Sequence, residues 1–159
     1  MILVSNDTKV GGEHLRERIE SKLEVETYLQ RLRYSLDNNA RIFFQEKRYV
    51  DTKREETYTN KYTMADLFPN ENPVKVLKRE LRRLTVRDYI RTVKDINRPN
   101  NSEMREFGKV YEGNKDVYIK IRVEVMKAGE YGVDNVVFVM SFHYSTVPFS
   151  SEMFPYAEG

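Results

Sequence analysis

The chain has 159 residues, enough for a single domain with its own core, and it contains no cysteine. The absence of cysteine excludes disulfides, thiol nucleophiles and cysteine-ligated zinc or iron–sulfur clusters. The apolar runs are too short to span a membrane and the first residues do not resemble an export signal, so we expect a soluble, cytoplasmic protein with no membrane partner. We also expect no cofactor, because the glycines form neither a P-loop nor a dinucleotide fingerprint. The two histidines, His14 and His143, lack metal-ligand spacing.

The net charge is only +2, but the positive charge is concentrated between residues 74 and 94. That segment has eight basic residues and two acidic ones. Such a stretch can be an electrostatic footprint for phosphates, or it can be the solvated face of a helix. We take Arg82, Arg83 and Arg87 from this segment as candidate phosphate-binding residues of a substrate.

The first 60 residues predict a strand or arm at residues 2–4 and a long amphipathic helix that ends near residue 37. A strand is expected over residues 41–50, which are rich in aromatic and β-branched side chains, and a loop or exposed hairpin over residues 51–60. The apolar residues that define the helical stripe are Leu15, Ile19, Leu23, Leu29, Leu32 and Leu36.

Three capping patterns predict helices in the middle of the chain. Thr63 predicts a helix of about one turn, which Pro69 limits. Asn72-Pro73 predicts a second helix, and Thr85 with Asp88 predicts a third, over about residues 86–96. The expected core positions of the second are Val74, Leu77, Leu81 and Leu84, and those of the third are Val86, Tyr89, Ile90 and Val93.

The last third of the chain has the alternation of strands. A strand at 107–112 and a turn at Gly113-Asn114 lead to strands at 117–125 and 136–144, and residues 146–159 are expected to be irregular. The alternation places Val136, Phe138, Met140, Phe142 and Tyr144 on one face of the last strand, and Val137, Val139, Ser141 and His143 on the other. Antiparallel pairing of the two strands would set His143 beside Tyr118, Lys120 and Arg122.

These elements predict an α+β fold in which helices cover an antiparallel sheet of four or more strands. We expect one domain over residues 1–159. It would consist of an N-terminal extension at 1–60, a core at 61–145 and an irregular tail at 146–159.

Residues 60–145 resemble the MqsR-type toxins, which belong to the RelE-like group of bacterial endoribonucleases. The similarity is carried by Leu84-Thr-Val-Arg-Asp-Tyr89, Phe107-Gly-Lys-Val-Tyr111, Val117-Tyr-Ile-Lys-Ile-Arg-Val123 and Val139-Met-Ser-Phe-His143. The resemblance implies a RelE-like sheet, metal-independent cleavage of messenger RNA, possible action on the ribosome, and a cognate antitoxin as partner.

By position, Arg91 matches a basic residue of that family, and Tyr118 and Lys120 match its tyrosine and lysine. His143 stands where the MqsR type has a basic residue after Ser-Phe. Gly108 replaces the family's glutamine, and Lys109 is the nearest polar substitute.

RNA cleavage without a metal needs a base, an acid and cations around the phosphorus. His143 titrates nearest neutral pH and is the candidate for proton transfer, with Lys120 and Arg91 stabilising charge and Tyr118 positioning the phosphate. Arg122 and Lys109 are candidate substrate contacts. The alternative is a binding or inhibitor protein that uses the same basic and aromatic surface to hold nucleic acid or an acidic protein without cutting it.

Overall fold

A computed structural model describes residues 6–10, 13–46, 54–127 and 133–159. The strands in these ranges are β1 (Asn6–Val10), β2 (Glu13–Arg18), β3 (Arg41–Phe44), β4 (Tyr89–Asp95), β5 (Met104–Tyr111), β6 (Lys115–Lys127) and β7 (Val133–Tyr144). The α-helices are α1 (Lys22–Asp37), α2 (Asn60–Leu67) and α3 (Pro73–Leu81).

Among the described residues, seven strands form one open sheet in the order β1-β2-β4-β5-β6-β7-β3. All neighbours are antiparallel except β3 and β7, which are parallel. The main core lies between α1, α3 and one face of this sheet, which we call the helix face; it carries Phe107, Ile119 and Phe142. The predicted α+β class with a mostly antiparallel sheet is confirmed. None of the helices in the described part of the chain combines the length and apolar composition that a membrane crossing requires.

The predicted first helix begins later than expected. Ser21 accepts a hydrogen bond from the Glu24 amide and Glu24 returns one to the Ser21 amide, so this capping box fixes the helix start at Lys22. Leu15 lies in β2 instead. Leu23 is 72% exposed because the buried stripe of α1 runs through Val25 and Leu29, and Leu23 points to the opposite side of the helix. The expected strand at residues 2–4 lies outside the described residues.

The predicted helix over residues 86–96 is wrong. Thr85 and Asp88 do form a capping box, but it stabilises a single 3-10 turn at Val86–Asp88. The chain then continues as β4, whose aromatic and β-branched residues pair with both β2 and β5. Tyr89 was expected on a helix, but it is buried in the sheet. Its hydroxyl accepts a hydrogen bond from the Glu20 backbone amide and shares a second one with the Thr92 hydroxyl.

The other two helices are close to expectation. Asn72 accepts from the amides of Val74 and Lys75, which confirms the predicted start of α3. Its inward face carries Leu77 and Leu81, with Leu84 just beyond its end, but Val74 is 47% exposed and Val76 is buried in its place. The first short helix is capped by Thr59 and not by the predicted Thr63. The predicted strand 41–50 is described only at its start, as β3, since residues 47–53 lie outside the described ranges.

Side chains of α2 complete the hydrogen bonding of β7 where β3 ends. The β3 strand pairs with Val136 to Val139 only. Beyond the end of β3, the side-chain amide of Asn60 donates to the Met140 carbonyl and accepts from the backbone amide of Phe142. The Thr63 hydroxyl accepts from the backbone amide of Tyr144. A helix thereby covers an edge that would otherwise expose unpaired backbone groups.

The pairing of β6 with β7 is confirmed, but the predicted faces of β7 are partly wrong. The register shifts between Lys120 and Ile121, so Met140 is an extra residue, a β-bulge opposite this step. Val137 and Val139 consequently join Phe142 in the core, whereas Phe138 pairs with Arg122 on the opposite face.

Replacement of Asn60 by alanine is expected to destabilise the fold by about 2 kcal/mol or more, because buried backbone groups of β7 lose their partners. Urea denaturation measures the loss. Asn38→Ala, which removes only an exposed bond to the Tyr34 carbonyl, is the control and should cost well under about 1 kcal/mol. Equal stability of the two variants would show that α2 does not secure this edge.

Candidate active site

The face of the sheet opposite the helices, here called the outer face, collects polar side chains from four neighbouring strands. One cross-strand row runs through Arg91, Glu106, Lys120 and Ser141 on β4, β5, β6 and β7. The adjacent row runs through Gly108, Tyr118 and His143. Directly opposed residues share a face of the sheet, so the four predicted catalytic residues lie on the same side.

His143 lies against Tyr118 in its own row, and both of its ring nitrogens are within hydrogen-bond distance of a polar atom. Its ring centroid lies 5.5 Å from that of Tyr118. Nδ1 lies 2.9 Å from the Tyr144 carbonyl oxygen, which can only accept, and Nε2 lies 3.2 Å from Nη1 of Arg54, which can only donate. These two contacts favour the tautomer with the proton on Nδ1 and the lone pair on Nε2. The side chain is only 6% exposed.

Glu106 is the central carboxylate of the outer face, and it is not among the site residues predicted from the sequence. It is 2% exposed and accepts a 2.9 Å hydrogen bond from Nε of Arg91, which also contacts Glu17. Burial opposes the charge of Arg91, but Glu106, Glu17 and Tyr118 more than compensate, and the pKa of the guanidinium lies above its ordinary value. Arg91 is thus a fixed cation. The signal that could have found Glu106 is its alternation with the core residue Phe107.

Lys120 and Arg122 have different surroundings. Lys120 is half-buried and lies between Glu106 and Ser141 in the cross-strand row. Arg122 stacks on the Phe138 ring at 4.4 Å and donates to Glu124 at 3.0 Å. Of these two cations of β6, Lys120 is therefore the nearer in the sheet to Tyr118 and His143.

The other predicted RNA-binding residues do not reach the outer face. Lys109 is opposite Val117 in the sheet, a core residue, and its ammonium lies near Asp88 and the Arg83 carbonyl. Arg82 pairs with Asp37, Arg83 with Glu80, and Arg87 is exposed beside the C-terminal residue. These basic residues form a separate surface at the end of α3.

The C-terminal tail closes the outer face beside Tyr118. The tail is held at Asp116, whose carboxylate accepts from the Phe149 amide and whose carbonyl accepts from the Ser145 amide. A β-carbon on Gly108 would lie 2.8 Å from the ring of Phe149 and 2.9 Å from that of Phe154. Glycine at this position lets the two rings lie against the strand. Residues 146–159 are irregular as predicted, and their one regular element is a 3-10 turn at Ser151–Met153.

Comparisons with protein-family models, with curated proteins and with solved structures found no match to this chain. In the described residues, no group of three histidine, aspartate or glutamate side chains is arranged to hold a metal ion. The geometry of the outer face is therefore the main indication of what this protein does.

Replacement of Gly108 by alanine is expected to displace Phe149 and Phe154, because the added methyl group would overlap both rings. Overpacking of this kind lowers the free energy of unfolding by about 1–3 kcal/mol. Hydrogen exchange of the tail amides should accelerate. The control is Gly113→Ala, since Gly113 has a φ of +79° in the β5–β6 turn but no neighbour within 4 Å of an added β-carbon. It should lower stability without changing exchange in the tail; equal acceleration in both variants would contradict the packing account.

Proposed function

We propose that this protein is a metal-independent endoribonuclease of the toxin type that cleaves messenger RNA by attack of a 2′-hydroxyl on the adjacent phosphorus. The observation that carries the proposal is the convergence of His143, Tyr118, Lys120 and Arg91 on one face of four adjacent strands. These groups supply the base, the cations and the phosphate ligand that such a reaction needs. The resemblance of residues 60–145 to MqsR-type toxins also supports it, and a cognate antitoxin is the expected protein partner.

In the proposed reaction, Nε2 of His143 takes the proton of the 2′-hydroxyl as the new O–P bond forms. The hydrogen bond from Nδ1 to the Tyr144 carbonyl keeps the proton off Nε2 in the resting state and stabilises the imidazolium that forms. Arg54 now lies against Nε2, so the substrate hydroxyl must displace it. Its guanidinium then remains close to the phosphate.

Arg91 and Lys120 stabilise the additional negative charge on the phosphorane oxygens, and Tyr118 hydrogen-bonds one of them. As the bond to the 5′-oxygen breaks, the ammonium of Lys120 gives that oxygen a proton. The products are a 2′,3′-cyclic phosphate and a 5′-hydroxyl, and exchange with water returns His143 and Lys120 to their starting protonation. Glu106 acts through Arg91 as a positioning residue, since it fixes the guanidinium at 2.9 Å.

A second candidate, an RNA-binding or inhibitor protein without catalysis, is favoured by the burial of His143 and Glu106. Both side chains are largely covered in the resting structure. In this alternative, ligand contacts come from the exposed basic surface of Arg82, Arg83 and Arg87, and the outer face is structural.

His143→Ala is expected to reduce RNA cleavage by about 10²–10⁴-fold, the usual contribution of a general acid–base group. The assay uses purified protein and a structured messenger RNA in excess EDTA, with and without ribosomes, and scores fragments that end in 2′,3′-cyclic phosphate. His14→Ala, which removes the only other histidine of the sequence, is the control and should retain activity.

Equal cleavage by wild type and His143→Ala would remove His143 from the mechanism. Absence of cleavage by wild type, even with ribosomes, would favour the non-catalytic candidate. Glu106→Gln separates positioning from proton transfer: it should lower activity without shifting the pH profile, whereas a changed profile would mean that Glu106 itself exchanges a proton with the substrate.

Simultaneous replacement of Arg82, Arg83 and Arg87 by glutamine is expected to weaken RNA binding and to flatten its salt dependence. Each lost phosphate contact on single-stranded RNA should reduce the slope of log K against log salt by about 0.7. Fluorescence anisotropy of a labelled oligonucleotide at several salt concentrations measures both quantities.

The matched control removes the same charge at exposed positions away from this surface, with Lys22, Lys61 and Arg98 changed to glutamine. An identical slope for the two triple variants would mean that only net charge matters, and an unchanged slope in the arginine variant would assign those residues to a solvated face.

A further inference from the structure

A cleft of about 770 Å³ lies on the helix face, between α1 and the sheet. The helix contributes Tyr28, Arg31 and Tyr34 to its lining, and the sheet side contributes Ser102, Arg105 and Asn135. Small-molecule sites in proteins span about 300–1,000 Å³, so a ligand of nucleotide size fits this volume. The cleft is on the opposite side of the sheet from His143 and is independent of the outer face.

Tyr28 has an unusual environment at the wall of this cleft. Its hydroxyl is buried and makes no hydrogen bond of good geometry with a described residue, although the Arg105 guanidinium is close enough to interact with it. The Arg105 guanidinium lies 4.2 Å above the ring centroid and stacks on the ring, while its Nε donates to Glu20 at 2.8 Å. Burial raises the pKa of the Tyr28 hydroxyl, so it stays protonated and remains a donor. Buried polar groups without partners are rare in native proteins and call for an explanation.

The charge of the cleft favours an anion. None of its described lining residues is acidic. Glu20 already neutralises Arg105, but Arg31, one turn along α1 from Thr27, is exposed and makes no ion pair with a described residue. Excess positive charge is therefore located at the mouth of the cleft.

The remaining lining is aromatic and polar. Tyr34 is 67% exposed, and its ring is available for stacking against a planar group. Gln30 and Asn135 carry amides that can hydrogen-bond both donors and acceptors. Val123 is the only aliphatic residue in the described lining, which makes the cleft a poor site for a fatty acyl chain.

We propose that this cleft binds a mononucleotide, with the phosphate at Arg31, the base against Tyr34 and a ligand acceptor at the Tyr28 hydroxyl. A nucleotide combines the anion, the planar ring and the hydrogen-bonding edges that these residues require. A small movement of the Tyr28 ring brings its hydroxyl to the ligand, and the bond gives the buried donor a partner.

Isothermal titration calorimetry of the full chain with AMP, GMP, CMP and UMP tests this proposal, with inorganic phosphate as a separate probe. At least one nucleotide should bind with 1:1 stoichiometry and at least about tenfold more tightly than phosphate, because the base adds stacking. Arg31→Gln should weaken binding by about tenfold or more, and Tyr28→Phe by about threefold to tenfold. Tyr28→Phe should not reduce the free energy of unfolding, since it removes a buried hydroxyl that makes no hydrogen bond of good geometry with a described residue.

Lys22→Gln is the matched control, because it removes one positive charge from α1 outside the cleft, and it should bind as wild type does. His143→Ala should also retain binding, which separates this site from the proposed nuclease. Three results would overturn the proposal: no nucleotide binding at millimolar concentration, wild-type affinity in both cleft variants, or equal affinity for phosphate and nucleotides.

Discussion

The pairing of β6 with β7, and the bulge within it, is the constraint on which the rest of the structure depends. These are the two longest strands in the described part of the chain, and they join the central strand β5 to the edge strand β3. A strict two-residue alternation along β7 would place His143 on the same side as Val137 and Val139. The extra residue at Met140 lets the two valines enter the core and still leaves Ser141 and His143 on the outer face. One inserted residue therefore allows β7 to contribute apolar side chains to the core along its length and polar side chains to the outer face.

The bulge also explains why α2 is needed. A strand that shifts its register cannot be covered along its whole length by a straight neighbour, and β3 stops at Val139. Asn60 and Thr63 supply the missing hydrogen bonds from side chains. The segment that leads into α2 also carries Arg54 to Nε2 of His143, so the same connection secures the strand and contacts the candidate site.

Several features could be predicted from the sequence because their signals are local and point to one structure. Alternation identified β6, and asparagine followed by proline identified the start of α3. Where two structures share a signal, prediction was wrong. The Asp88 carboxylate accepts from the Thr85 amide at the start of this 3-10 turn, as it would at the start of a helix. Only pairing with β2 and β5 decides that the chain from Tyr89 onward is a strand. Leu15 likewise fits a helical spacing, but the capping box at Ser21 follows it.

The candidate site was predicted in part for the same reason. The cross-strand proximity of Tyr118 and His143 follows from two adjacent alternating strands. Glu106 and Arg54 were missed because their relation to His143 and Arg91 depends on register and on a long connection, neither of which a single sequence reveals. Lys109 was chosen as a candidate substrate contact because it neighbours Gly108 in sequence, but neighbours in a strand point in opposite directions and Lys109 lies on the helix face.

The parallel pairing of β3 with β7 has a consequence for synthesis of the chain. Arg41 meets Val136, so most of the polypeptide lies between the two strands that close this edge. Contacts of such long sequence separation form slowly because the intervening loop must be ordered first. On a ribosome, the α1 stripe would emerge well before the strands that bury it. During that interval the nascent chain would present Leu29, Leu32 and Leu36 to chaperones or to other chains.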